Sequence, residues 1–164
     1  MEYLYTPWRY QYMSTVDERK GCIFCEKSAS RDDRENLVVF RDELCFSMLN
    51  LYPYSTGHVM IAPYSHIGTI EELDAEVIAC MMALAKRCMA AIRDAFQPDG
   101  FNLGINIARV AGAGIADHVH MHVVPRWSGD SNFMSVIGET RVLPVTLDQV
   151  WRALSERLGP DTLT

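Results

Sequence analysis

Residues 118–124 read His118-Val119-His120-Met121-His122-Val123-Val124. Polar and apolar residues alternate with a period of two, which belongs to a strand with one face in a core. The strand is expected over Val119 to Val124. Val119, Met121 and Val123 point into the core, and His118, His120 and His122 share the opposite face. A solvated strand face more often carries Thr, Lys or Glu, so three imidazoles there mark a place of chemistry. Two chemistries fit. His-x-His is a common metal-ligand pair. A neutral imidazole can also attack phosphorus and form a phosphoramidate that is cleaved again, with the flanking rings orienting the middle one.

Immediately upstream, Ala111-Gly-Ala-Gly114 is a small-residue loop. At Gly112, Ala113 and Gly114 main-chain N–H groups can come close to phosphate oxygens. Before it, Phe101 to Ile107 reads as a strand. Further upstream Leu73, Val77, Met81, Leu84, Cys88, Ile92 and Phe96 recur at spacings of three and four, an amphipathic helix stopped by Pro98-Asp-Gly100. Thr69-x-x-Glu72 is read as its capping box, with Asp74 the alternative cap. Strands are expected at Leu37–Arg41, Leu44–Asn50 and His58–Pro63, with loops at Ser28–Asn36 and Tyr52–Gly57. A last helix runs from Thr146, boxed by Gln149, to Leu158. Strands in runs around one long helix predict an α+β fold, with an antiparallel sheet of about five strands and a C-terminal helix.

The chain has 164 residues, a length that suits one domain. Its core is expected over about 21–126, between an N-terminal arm over 1–20 and a C-terminal segment over 127–164. A net charge of −6 disfavours a nucleic-acid surface but not a nucleotide, which a few local donors can hold. No run approaches the roughly 18 apolar residues of a membrane span. Met1 to Tyr12 lacks the layout of a signal peptide, so the expectation is a cytoplasmic protein without a membrane partner. Five cysteines are an odd number and do not form a disulfide framework. Cys22-Ile-Phe-Cys25 is then either metal-binding or a redox pair, and the polar run after it offers little of a redox pair's helical context. Zinc needs two further ligands, and few histidines are available to supply them. His66, in the loop past Pro63, has no evident core role. The expected set is Cys22, Cys25, His66 and His118, with Cys45, Cys80 and Cys88 as inert core residues.

The segment His118–Val124 matches the signature of the histidine-triad (HIT) family, in which His alternates with apolar residues. Asn50-Leu-Tyr-Pro53, Gly57-His58 and Pro63-x-x-His66 resemble the family's upstream segment, and Cys22–Cys25 resembles the start of its zinc-bearing members. The flanks, Tyr5-Thr-Pro-Trp-Arg-Tyr10 and Arg126 to Met134, are similar to the branch of bacterial diadenosine tetraphosphate phosphorylases, which is related to the fragile-histidine-triad hydrolases.

The resemblance implies a HIT-like fold and a nucleotidyl-histidine intermediate on His120. It implies a phosphate contact for His122, a zinc ligand in His118 and a supporting partner in His58. Asn50 would meet the ribose, Phe24 would line the base pocket, and Asn106 with the Gly112–Gly114 loop would face the phosphates. Members are typically homodimers. One departure bears on the reaction. Many hydrolases carry Gln four residues before the first triad His and Ser or Thr beside it, where this chain has Gly114 and Ile115. A roomier site there would admit inorganic phosphate as the second nucleophile on a dinucleoside polyphosphate. Hydrolysis of dinucleoside polyphosphates, hydrolysis of nucleoside phosphoramidates and plain nucleotide binding are the alternative functions. Trp127 reads equally as an edge anchor and as a stacking partner for substrate.

Overall fold

Short runs of Val, Met, Ile and Phe pair into one antiparallel sheet. The structure, a computed structural model, describes residues 21–130 and 144–159. The strands are β1 (Val38–Arg41), β2 (Cys45–Leu49), β3 (Val59–Pro63), β4 (Gly100–Ile105) and β5 (Met121–Arg126). Their order across the sheet is β1-β2-β3-β5-β4. Among the described residues three α-helices accompany them, α1 (Ile23–Ala29), α2 (Ala75–Phe96) and α3 (Leu147–Leu158). The α+β architecture read from the sequence is the one observed. The N-terminal arm with Trp8 and Tyr12, and Ser131 to Met134 of the downstream flank, lie outside the described residues.

Both faces of the central strands are covered. On one face Cys45, Leu49, Val59, Ile61, Met121 and Val123 meet Met81, Leu84, Cys88 and Ile92 of α2 and Val150, Leu154 and Leu158 of α3. Each such side chain, fully removed from water, contributes roughly 1.5–3 kcal/mol. On the other face Val38, Phe46, Met48, Met60 and Ala62 form a smaller cluster closed by Phe24 of α1. Val39, Leu49 and Ile61, which follow Val38, Met48 and Met60, belong to the opposite cluster, as a pleat requires. Thr146 and Gln149 form the expected capping box at the start of α3. None of the described helices is long and apolar enough to cross a membrane.

Several boundaries differ from the sequence reading. Residues expected to begin a loop at Ser28 instead finish α1, a helix short enough that only Phe24 is buried from it. Thr69 caps a separate 3-10 turn over Ile70–Glu72, and Asp74 takes the N-cap position of α2. β4 ends at Ile105, leaving Asn106 in the following loop. β5 begins at Met121 rather than Val119, because the Val119 N–H donates to the carbonyl of Ile67 (2.7 Å) instead of joining the ladder. Gly68 permits that approach: a Cβ there would lie 3.0 Å from the carbonyl oxygen of Ala116.

Candidate active site

The histidine face survives the shortened strand. Val119, Met121 and Val123 enter the helix-side core. His122 pairs in register with Met60, which belongs to the opposite cluster. The rings of His120 and His122 lie 5.0 Å apart, edge to face. His118 is fully buried and His120 is 4 % exposed. The Phe24 ring packs against both, with centroids 5.1 Å from His118 and 4.7 Å from His120.

Hydrogen bonds assign the tautomers. A carbonyl can only accept, so the 2.9 Å contact between His120 Nδ1 and the carbonyl of His118 puts the His120 proton on Nδ1. Its lone pair is then on Nε2. Burial pushes the pKa of His120 down, against the opposing hydrogen bond to His118, so the neutral and nucleophilic form is favoured. A main-chain N–H can only donate, so the Tyr54 N–H on His58 Nδ1 (3.1 Å) puts the His58 proton on Nε2. That proton is donated to His122 Nδ1 at 2.9 Å. His122 therefore carries its own proton on Nε2.

His118 is turned the other way. Its Nε2–H donates to the carbonyl of Pro63 (2.9 Å), leaving the Nδ1 lone pair directed at two thiols. Cys22 Sγ is 3.3 Å and Cys25 Sγ 3.6 Å from that nitrogen, and His66 Nδ1 is 3.4 Å from Cys25 Sγ. All four donor atoms lie within 4.8 Å of one another. Tetrahedral zinc with bonds of about 2.3 Å to sulfur and 2.0–2.1 Å to nitrogen would separate S from N by roughly 3.5 Å. The donor set therefore fits zinc in number, type and spacing. Without a cation, burial raises the Cys25 thiol pKa, and neighbouring Cys22 raises it further. A bound dication reverses that effect, since thiolate is the ligand form. Cys45 and Cys88 are buried thiols with raised pKa values, Cys88 pushed up to about 12 by burial, and Cys80 lies 3.2 Å from Cys45.

The remaining sequence-chosen residues have the following surroundings. Asn50 accepts from the Tyr52 N–H through Oδ1 (2.9 Å), which orients its amide with Nδ2 as the donor end. Phe24, expected in the base pocket, is 1 % exposed and forms the floor under His118 and His120. Ala113 is buried, and Gly112 caps a 3-10 turn over Arg109–Ala111. Gly114 follows, and Ile115 packs onto the Phe24 cluster. Trp127 donates from Nε1 to the carbonyl of Phe96 (3.3 Å), tying the end of β5 to the end of α2. This contact accounts for the anchor reading of Trp127. Sequence reasoning did not find Tyr54 or Pro63, which act through main-chain atoms. The only available signal was an aromatic residue after proline, four positions before His58.

Fold and site together define an α+β protein that carries a histidine face and, at its end, a Cys/His cluster that could hold a metal ion. The chain belongs to the HIT family: the HIT domain matches residues 31–129. It is 36% identical to a protein of Mycobacterium tuberculosis named AP-4-A phosphorylase, over 94% of this chain and 83% of that one. A histidine triad nucleotide-binding protein of Sulfolobus tokodaii shares the fold with a TM-score of 0.67 and 28% identity, over 84% of this chain and 91% of that one. A zinc-bound histidine triad family protein of Mycobacterium smegmatis shares it with a TM-score of 0.61 and 23% identity, over 90% and 91%.

Proposed function

We propose that this chain is a HIT-class enzyme that cleaves a dinucleoside polyphosphate at an α-phosphate through a nucleotidyl-His120 intermediate, with inorganic phosphate as the second acceptor. The observation carrying the reading is the pair of assigned tautomers: a lone pair on His120 Nε2 beside an N–H on His122 Nε2. With diadenosine tetraphosphate, His120 Nε2 attacks the α-phosphorus, the bond to the bridging oxygen breaks, and ATP leaves with that electron pair. The adenylylated ring is cationic, and its Nδ1–H remains on the His118 carbonyl, which stabilises the charge. His122 Nε2–H donates to a non-bridging oxygen as charge gathers there. An oxygen of inorganic phosphate then attacks the same phosphorus, the N–P bond breaks, its pair returns to Nε2, and ADP leaves.

The identity with a relative named AP-4-A phosphorylase supports the substrate class and the acceptor. Asn50 would donate from Nδ2 to the ribose, and the turn through Gly112–Gly114 with Asn106 would face the phosphates. Zinc on Cys22, Cys25, His66 and His118 would be structural, its role to fix the His118 backbone whose carbonyl holds His120. The reading includes a homodimer, with the outer edge of β4 and its half-exposed Leu103 available for pairing.

Product analysis with diadenosine tetraphosphate, with and without inorganic phosphate, tests this reading. ADP plus ATP formed only with phosphate is the expected result. AMP plus ATP formed without it would replace the phosphorylase by a hydrolase. His120→Ala is expected to abolish turnover, and turnover retained in that variant would remove the covalent step.

A further inference from the structure

We infer that Tyr54 is a positioning residue for phosphate transfer: its main-chain N–H and its ring hold His58 in the tautomer and tilt that leave His122 with its proton on Nε2, beside His120. The inference rests on the proposed reaction only for its kinetic consequence.

The chain of donors begins in the loop and ends at the transferred phosphate. The Tyr54 N–H donates to His58 Nδ1 at 3.1 Å, and His58 Nε2–H donates to His122 Nδ1 at 2.9 Å. The Tyr54 ring stacks on His58 with centroids 4.9 Å apart at 19°, and lies 6.2 Å from His122 at 37°. His58 is itself buried, so little water competes for its Nδ1. The first link permits one direction only, and that direction fixes the second. If the N–H were removed, His58 could carry its proton on Nδ1 and accept at Nε2 from a His122 Nδ1–H. That inversion would turn a bare nitrogen lone pair toward a phosphate oxygen, converting a donor into a repulsive contact.

The loop is built to keep Tyr54 in place. Pro53 precedes it with a fixed φ. On the far side the Ser55 hydroxyl donates to the carbonyl of Pro125 (2.7 Å), pinning the loop to β5. Gly57, at φ +81°, turns the chain so that the His58 N–H returns to the Ser55 carbonyl (3.2 Å). Tyr54 is thus fixed relative to the strand that carries His122, which is the requirement for a positioning residue.

The test combines imidazole ¹⁵N NMR of the full-length protein with steady-state kinetics on diadenosine tetraphosphate and phosphate. In the unmodified protein, His58 and His122 are both expected as Nε2–H tautomers. His122 protonated on Nδ1 would overturn the inference, whatever the substrate proves to be. Tyr54→Pro removes the N–H, and Tyr54→Phe keeps both the N–H and the stack. Tyr54→Pro, checked for an unchanged far-UV spectrum, is expected to mix the His122 tautomers and lower kcat about tenfold or more, with KM within about twofold. Tyr54→Phe is expected to retain the NMR pattern and kcat. A folded Tyr54→Pro with the original tautomers would refute the role, and if that variant does not fold the tautomers of the unmodified protein decide alone. Because the NMR arm needs no substrate, failure of the proposed reaction and failure of this inference are separable.

Discussion

Truncating Phe24 to alanine removes the floor beneath His120, the proposed nucleophile. The ring is 1 % exposed and its centroid lies 4.7 Å from that of His120 and 5.1 Å from that of His118. Deleting a buried phenyl costs about 3–5 kcal/mol, the transfer term plus the cavity left behind. At this chain length 1 kcal/mol shifts Tm by about 2–4 °C, so Tm should fall by roughly 6–20 °C. Domains hold about 5–15 kcal/mol in total, so the variant should remain largely folded near 10 °C, where kinetics can be compared. His120 would keep its hydrogen bond to the His118 carbonyl but lose the wall that limits its rotation about that bond. A misplacement on the order of 1 Å can cost about a hundredfold, so kcat should fall ten- to hundredfold. Thermal unfolding followed by circular dichroism and steady-state rates on diadenosine tetraphosphate with phosphate measure the two effects. A Tm loss below about 3 °C would refute the packing argument. A full Tm loss with unchanged kcat would refute the claim that the ring holds His120.

Other expectations follow from the same geometry. The purified protein should carry one zinc per chain by elemental analysis. Cys22→Ser with Cys25→Ser should abolish it while His120→Ala leaves it intact, and zinc retained by the double variant would refute the four-ligand site. Burial lowers the His120 pKa below its ordinary 6.5, so the neutral nucleophile persists as pH falls. The acid limb of kcat/KM should therefore have its midpoint below 6.5, and a midpoint above it would contradict the burial argument. By linkage the unfolded chain takes that proton first, so this group withdraws stability as pH drops through 6.5 toward the lower folded value. Thr146→Ala breaks the capping box of α3 and should lower stability by about 1 kcal/mol in chemical denaturation, with kcat unchanged. An unaltered midpoint would mean the cap contributes nothing.

The parts of the molecule legible in the sequence were those in which chemistry and period coincide locally. Alternation of His with Val and Met states both the face and the strand, and Cys22-x-x-Cys25 with His66 and His118 states a ligand set whose donor atoms the fold brings within 4.8 Å of one another. α1 is not legible because its seven residues bury only Phe24 and its N-cap, Cys22, makes no side-chain capping bond, so neither periodicity nor a cap is available to read. The start of β5 was misplaced because the partner of the Val119 N–H is Ile67, a contact decided by tertiary packing. Tyr54 escaped notice because its main-chain N–H is common to every residue except proline. The tautomers likewise needed the β3–β5 register, which places His122 across from Met60 and within reach of His58.

The strand order has a consequence for how the protein comes into being. β4 is synthesised before β5 yet is held in the sheet only through it. Until about residue 126 has emerged from the ribosome, β3 and β4 each present an unpaired edge, the kind of surface that invites aggregation and chaperone attention. The strand that closes this gap is also the one that carries His122 and directly follows His120. A truncated or half-made chain therefore has no assembled His120–His122 pair: the imidazoles meet only when the sheet is complete, so quality control of the fold is also quality control of the site.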